Sequence, residues 1–383
     1  MRDIVRGGQW IEHVFSLGVR WDNLRLAATE QAVAAGASAP SLLARGAVTR
    51  AFDTPGFTGL TFYEIHARSV LNRVPPASRM AFRWTVNPYR GCSHACRYCF
   101  ARSTHAYLDL DTGRDFDTRI VVKVNVAERL RAELAAPRWR GEHVAMGTNV
   151  DPYQRAEGRY RLMPGVLAAL RDARNPFSVL TKGSLILRDL DLLAAAAEVT
   201  QVGVVLSVGF VDDELWRLVE PGTPHPRRRL EACAALGERG IPAGVLMAPI
   251  LPYLTDSPAA LARAVEQIAQ AGASSVTPLV LHLRPGAREW YLDWLAEHHP
   301  ALVAAYRRLY GSGAYAPRAY RDRIAAQVRE LAERAGIGAA AHRVRRFAAP
   351  APRPDGAGRP AAPAESAGPV GRDEQLALPG FGG

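Results

Sequence analysis

Asn87-Pro88-Tyr89-Arg90-Gly91-Cys92-Ser93-His94-Ala95-Cys96-Arg97-Tyr98-Cys99-Phe100 is the stretch on which the reading of this chain turns. Three of the chain's four cysteines fall within eight residues, spaced Cys-x3-Cys-x2-Cys. They follow a predicted strand over 82–86, so the loop leaves a strand end with three thiols on it. Soft thiolates converging from one short loop select an iron–sulfur centre. A [4Fe–4S] cluster has four irons, so three thiolates would leave one iron open to a small molecule. A structural zinc site stands as the alternative. It wants four ligands in paired spacings, and its fourth would have to be His94, His105 or Cys233. A disulfide framework needs a small secreted chain with an even, dispersed set of cysteines, which this is not.

Working outward, predicted strands and helices alternate. Strands are predicted over 118–124, 143–147, 177–181, 201–207, 243–248 and 275–283. Helices are predicted over 126–134 (Asn125 as cap), 164–174, 190–198, 227–239 and 289–297, with a further one opening at Pro258 behind Ser257 as cap. Continuous apolar strands covered by amphipathic helices mean a parallel sheet. Counting from the strand before the cysteines gives six or seven β/α units, short of the eight that close a barrel. The fold class is therefore α/β, a partial TIM-like barrel. Residues 1–76 read as an N-terminal extension, with helical spacing over 22–35 that continues over 40–50. Trp10, Phe15, Trp21, Phe57 and Phe62 give that extension something to bury. Residues 77–298 are the core, 299–346 a C-terminal helical cap broken around 311–315, and 347–383 an Ala/Pro/Gly-rich disordered tail.

The spacing, with Tyr98 immediately before the last cysteine, resembles the radical S-adenosylmethionine (SAM) enzymes over roughly residues 80–284, by the usual size of such a domain. The resemblance implies a (β/α)6 partial barrel, a [4Fe–4S] cluster on Cys92, Cys96 and Cys99, and SAM on the open iron. It also implies reductive cleavage of SAM to a 5′-deoxyadenosyl radical that abstracts hydrogen from a substrate. In such barrels ligands gather at the C-terminal strand ends. There the resemblance implies Tyr98 beside the adenine and the Gly147-Thr148-Asn149-Val150-Asp151 strand end near the SAM ammonium. It puts Lys182 on the SAM carboxylate and Ser207 on a ribose or carboxylate contact. For Asp151 an Asx turn ahead of Pro152 is an equal reading. Glu220 and Arg229 suit either an anion site or a surface ion pair, and Arg284 faces the substrate. Cys233, on an Ala-rich helix face, reads as inert core.

Within that family the segment from Arg83 onward looks most like the group related to spore photoproduct lyase, often labelled DNA repair photolyases. Spore photoproduct lyase donates hydrogen from a cysteine just ahead of the loop matching Thr148-Asn149, and this chain has Gly147 there. That departure argues against inheriting the label. Modification of RNA or of a peptide is the neighbouring alternative. A non-catalytic, zinc-stabilised nucleic-acid-binding protein is the alternative of another class.

The formal net charge of +11 on 383 residues admits nucleic acid as a partner. The excess is almost all arginine, with Lys123 and Lys182 the two lysines, so the charge reflects composition as much as binding. No run approaches the ~20 apolar residues of a membrane span. Few cysteines and no export signal point to the cytoplasm, and the chemistry implies an external flavodoxin- or ferredoxin-like electron donor. Near the end, Gln375-Leu376-Ala377-Leu378-Pro379-Gly380-Phe381 resembles a sliding-clamp-binding peptide.

Overall fold

The computed structural model describes residues 46–75 and 80–337. The helical spacing over 22–35, the aromatics Trp10, Phe15 and Trp21, the tail and the clamp-like peptide all lie outside the described residues.

In chain order the strands and helices begin with β1 (Val48–Ala51), β2 (Thr61–Ile65), β3 (Leu71–Arg73), β4 (Trp84–Val86) and β5 (Tyr89–Arg90). A 3-10 segment, Phe100–Leu108, leads to α1 (Arg114–Thr118), β6 (Arg119–Lys123) and α2 (Val126–Leu134). Then come β7 (Val144–Met146), α3 (Arg155–Tyr160), α4 (Leu162–Asp172), β8 (Phe177–Thr181), α5 (Leu190–Ala197), β9 (Val202–Ser207), α6 (Asp213–Val219) and α7 (Pro226–Glu238). The remainder is β10 (Ala243–Ile250), α8 (Pro258–Gln270), β11 (Ser275–Val280), α9 (Ala287–His298), α10 (Pro300–Tyr310) and α11 (Arg318–Arg334).

One sheet runs β11-β10-β9-β8-β7-β4-β3. Every pair from β4 to β11 in it is parallel, and β3 closes the β4 edge antiparallel. Six parallel strands alternating with helices make a partial (β/α)6 barrel, open because β4 and β11 do not meet. The strands are apolar on both faces, as burial on both sides demands. In β10, seven of the eight positions are buried.

The strand expected over 118–124 corrects the count of barrel strands. It exists as β6 but belongs to a second sheet, ordered β1-β2-β6-β5. There β6 runs parallel to β2 and antiparallel to β5. A buried β-branched run such as Ile120-Val121-Val122 has the composition of a barrel strand, and only its partners distinguish it. The helical continuation over 40–50 is likewise replaced at its end by β1. Phe57 and Phe62 do bury something, packing with Phe52 and Tyr160 beside this second sheet.

Caps follow local chemistry in one case and depart from it in another. Ser257 Oγ accepts from the Ala260 N–H at the start of α8, with Pro258 next. Asn125 does not cap α2. Its amide spans Ala67 instead, accepting from the Ala67 N–H at 2.8 Å and donating to the Ala67 carbonyl at 3.0 Å. That pair ties the end of β2 to the helix that follows β6.

Among the described residues no helix is long and apolar enough to cross a membrane.

Candidate cluster and cofactor site

The cysteine loop hangs between the two sheets. Tyr89 and Arg90 pair with β6, and the Cys92 N–H donates to the Phe116 carbonyl at 2.9 Å. The fully buried Gln154 then grips the next turn. Its Oε1 accepts from the Ser93 N–H at 2.9 Å and its Nε2 donates to the Gly91 carbonyl at 2.9 Å. On the far side Arg97 N–H reaches the Val219 carbonyl at the end of α6, and Gly222 N–H reaches the His94 carbonyl. Gly222 has to be glycine, since a Cβ there would lie 2.1 Å from the Ser93 carbonyl oxygen.

All three loop cysteines are free thiols, with Cys92 and Cys96 buried and Cys99 half-buried. Burial pushes the Cys96 thiol up to about 12, and raises Cys92 and Cys99 as well. Thiols so placed become thiolates only when a cation arrives to hold them. Among the described residues, no three of His, Cys, Asp and Glu converge as a single metal ion requires. In a cubane each thiolate meets a different iron, so its sulfurs stand farther apart than the ligands of one ion.

Around Cys96 the strand ends bring a polar network together. The Tyr98 hydroxyl donates to Glu220, which is buried and also accepts from Arg229. Arg229 is 1% exposed and spends its remaining donors on the Pro224 and Ser207 carbonyls and the Thr223 hydroxyl. The Glu220–Arg229 pair is thus interior, not the surface ion pair that the sequence left open. Burial would raise the Glu220 carboxyl, but Arg229 and Lys182 outweigh it and hold it below its ordinary range. Lys182, at the end of β8, donates through Nζ to Ser207 Oγ at 2.6 Å and sits 5.6 Å from the centre of the Tyr98 ring.

Asp151 is saturated by protein partners. It accepts from the Tyr153 N–H, the Thr181 hydroxyl and the Lys182 N–H, and lies 3.3 Å from His94 Nδ1. It therefore braces the end of β8 against the cysteine loop, and its bond to Tyr153 makes the Asx turn. Burial would raise this carboxyl, but His94 and the hydrogen bonds carry it down to about 2. A folded-state value below the unfolded one, near 3.8, stabilises the fold above that pH, and the contribution fades as pH falls toward 2. Asp151→Asn is expected to cost about 2 kcal/mol at pH 7 and clearly less at pH 3, read by urea unfolding. An equal cost at both pH values would remove the charge from the explanation.

Gly147 has φ +86°, and a Cβ there would stand 1.8 Å from the Leu180 carbonyl oxygen. The backbone of β8 excludes any side chain at this corner. Beyond it, Thr148 Oγ1 is buried without a hydrogen-bond partner among the described residues, as is Asn87 Oδ1 at the end of β4. Asn149 is exposed. These two buried acceptors, at the ends of adjacent strands β4 and β7, have hydrogen-bonding capacity left for water or a polar ligand. Arg284 stands apart from the network, stacked over Phe100 at 5.2 Å and donating to the Tyr315 hydroxyl at 3.3 Å. Cys233 is buried on α7 against the Ala243 carbonyl, away from the loop. Gln154 was not visible as a site residue in the sequence, because nothing local marks a glutamine whose partners lie sixty residues away.

Residues 86–265 match the profile of the Radical SAM superfamily. An uncharacterized protein of Mycobacterium tuberculosis (strain ATCC 25618 / H37Rv) is 51% identical over 313 residues, which is 82% of this chain and 92% of the relative. One from Methanocaldococcus jannaschii is 28% identical over half of this chain and 69% of its own length. Among solved structures, spore photoproduct lyase complexed with dinucleoside spore photoproduct superposes with a TM-score of 0.54. That match covers 74% of this chain and 83% of the lyase at 14% identity, a likeness of fold. A thiol-bearing loop at the mouth of a six-stranded parallel barrel, together with the profile match over it, makes this chain a member of the radical SAM superfamily of enzymes.

Proposed function

We propose that Cys92, Cys96 and Cys99 each hold one iron of a [4Fe–4S] cluster and that SAM takes the remaining iron. When bound, the cluster supplies the electron that splits SAM into methionine and a 5′-deoxyadenosyl radical able to take hydrogen from a substrate. The observation that carries this reading is three unbridged thiols on one loop at the barrel mouth, two buried and one half-buried, with the Tyr98–Glu220–Arg229–Lys182–Ser207 network beside them.

The chain's own residues then have distinct tasks. Tyr98, locked by Glu220, offers a fixed flat face to an adenine. Lys182 is the cation within reach of the SAM carboxylate, and Ser207 Oγ holds its ammonium until that anion arrives. Asp151 fixes the backbone that carries Lys182. Gly147, packed on the Leu180 carbonyl, presents only backbone to the ligand, and Thr148 and Asn87 offer acceptors to an ammonium group. Asn149 lies on the exposed side of that strand end. Arg229 acts through Glu220 and Ser207, as a positioning residue. The Arg284–Phe100 stack lies toward the substrate, for which we carry forward nucleic acid on the net charge of +11 and on the dinucleoside bound by the similar lyase fold. Because Gly147 bears no side chain, any hydrogen returned to a product comes from elsewhere. A small one-electron carrier in the cytoplasm supplies the reducing equivalent.

The test is anaerobic purification followed by iron and sulfide analysis, then incubation with dithionite and SAM. The expected result is a brown protein with roughly four irons that releases 5′-deoxyadenosine. A colourless protein with stoichiometric zinc and no nucleoside product would sink the proposal.

A further inference from the structure

Directly after the last cysteine, the 3-10 segment Phe100–Leu108 carries Arg102, which is 0% exposed. Its Nη2 donates to the Cys96 carbonyl at 3.0 Å and to both oxygens of Asp117 at 2.8 and 2.9 Å. Nη1 donates to the Gly113 carbonyl at 2.7 Å. The guanidinium is sandwiched over the rings of Phe116, at 5.2 Å, and Trp290, at 4.8 Å. An interior ion pair is poor value as a source of stability alone, since apolar residues of the same volume do as well. This one instead sits against the loop that carries all three thiols. Arg102 touches the loop directly, at the Cys96 carbonyl, and Asp117 stands behind it on the same guanidinium nitrogen.

We infer that the Arg102–Asp117 pair sets the reduction potential of the cluster bound by this loop, an inference that rests on the cluster proposed above. Reduction adds one electron from the external donor to the cluster, and no bond forms or breaks in that step. A buried cation beside the loop favours the more negative, reduced state, and a buried anion opposes it. Arg102 and Asp117 are positioning residues in this account; neither touches the irons.

The experiment is an EPR-monitored redox titration of the full-length, cluster-loaded chain at pH 8. Asp117→Asn, which keeps the shape and removes the anion, is expected to raise the midpoint. Arg102→Gln is expected to lower it. Each change should be about tenfold in the reduction equilibrium, or about 59 mV for one electron. Arg102→Lys keeps the charge but loses the planar fork, so its midpoint should stay near wild type while its melting temperature falls. Should Arg102→Gln fail to fold, Asp117→Asn decides alone: a loaded variant titrating with wild type overturns the inference. Shifts of the same sign in the Asn and Gln variants would overturn it too. A wild-type chain that takes up no iron removes the cluster assignment itself, and this inference with it.

Discussion

Cys96→Ala is expected to give a folded, colourless protein that releases no 5′-deoxyadenosine above background. Each loop thiol is proposed as the only protein ligand of one iron, so the loss of one leaves that iron to solvent. The remaining thiols do not compensate, because burial holds them protonated until metal charge draws the proton off. Cys233→Ala is the control. Its thiol is buried on α7 against the Ala243 carbonyl, so the variant should keep iron, colour and product. Iron and sulfide content, the visible spectrum and chromatography of the nucleoside give three separate readings. A Cys96→Ala protein that retained iron and product would sink the ligand assignment.

The second large effect is on stability. Arg229→Met should destabilise the chain by about 3–5 kcal/mol, because it strands the Glu220 carboxylate in an interior that is 1% exposed. Glu220→Gln should cost a similar amount, since it leaves the Arg229 guanidinium without its counter-charge. The double variant should recover part of the loss, because the penalty lies in the unpaired charge more than in the lost bond. Chemical denaturation of the three variants checks this. A cost below about 1 kcal/mol for either single change would mean that water reaches the pair, as at a surface. Glu220→Gln has a second consequence, for the Tyr98 hydroxyl exchanges a charged acceptor for a neutral one. Binding of SAM should weaken in that variant even where the fold survives.

The barrel and its cysteine loop were legible from the chain because their signals are local. Parallel strands are apolar on both faces, helices carry their own period, and three thiols in eight residues need no fold to be noticed. What escaped was non-local. Ile120-Val121-Val122 could belong to either sheet until Thr61–Ile65 was seen beside it. Asn125 stood where a cap belongs, yet Ala67 claimed its amide. Asp151 had the chemistry of a ligand contact, and only the arrival of Thr181, Lys182 and His94 showed how fully it is spoken for. Arg102 was invisible for a different reason. In a chain whose cations are nearly all arginine, one more carries no signal until Asp117 and Trp290 close around it.

The anchoring of the cysteine loop has a consequence for assembly. Its ends are stitched to β6 and to the tip of α6, and its middle is clasped by Gln154, all by bonds between protein groups alone. A zinc finger acquires its shape from the ion. Here protein hydrogen bonds at both ends and in the middle share the task of shaping the turn, so its form does not depend on the thiols' ligand alone.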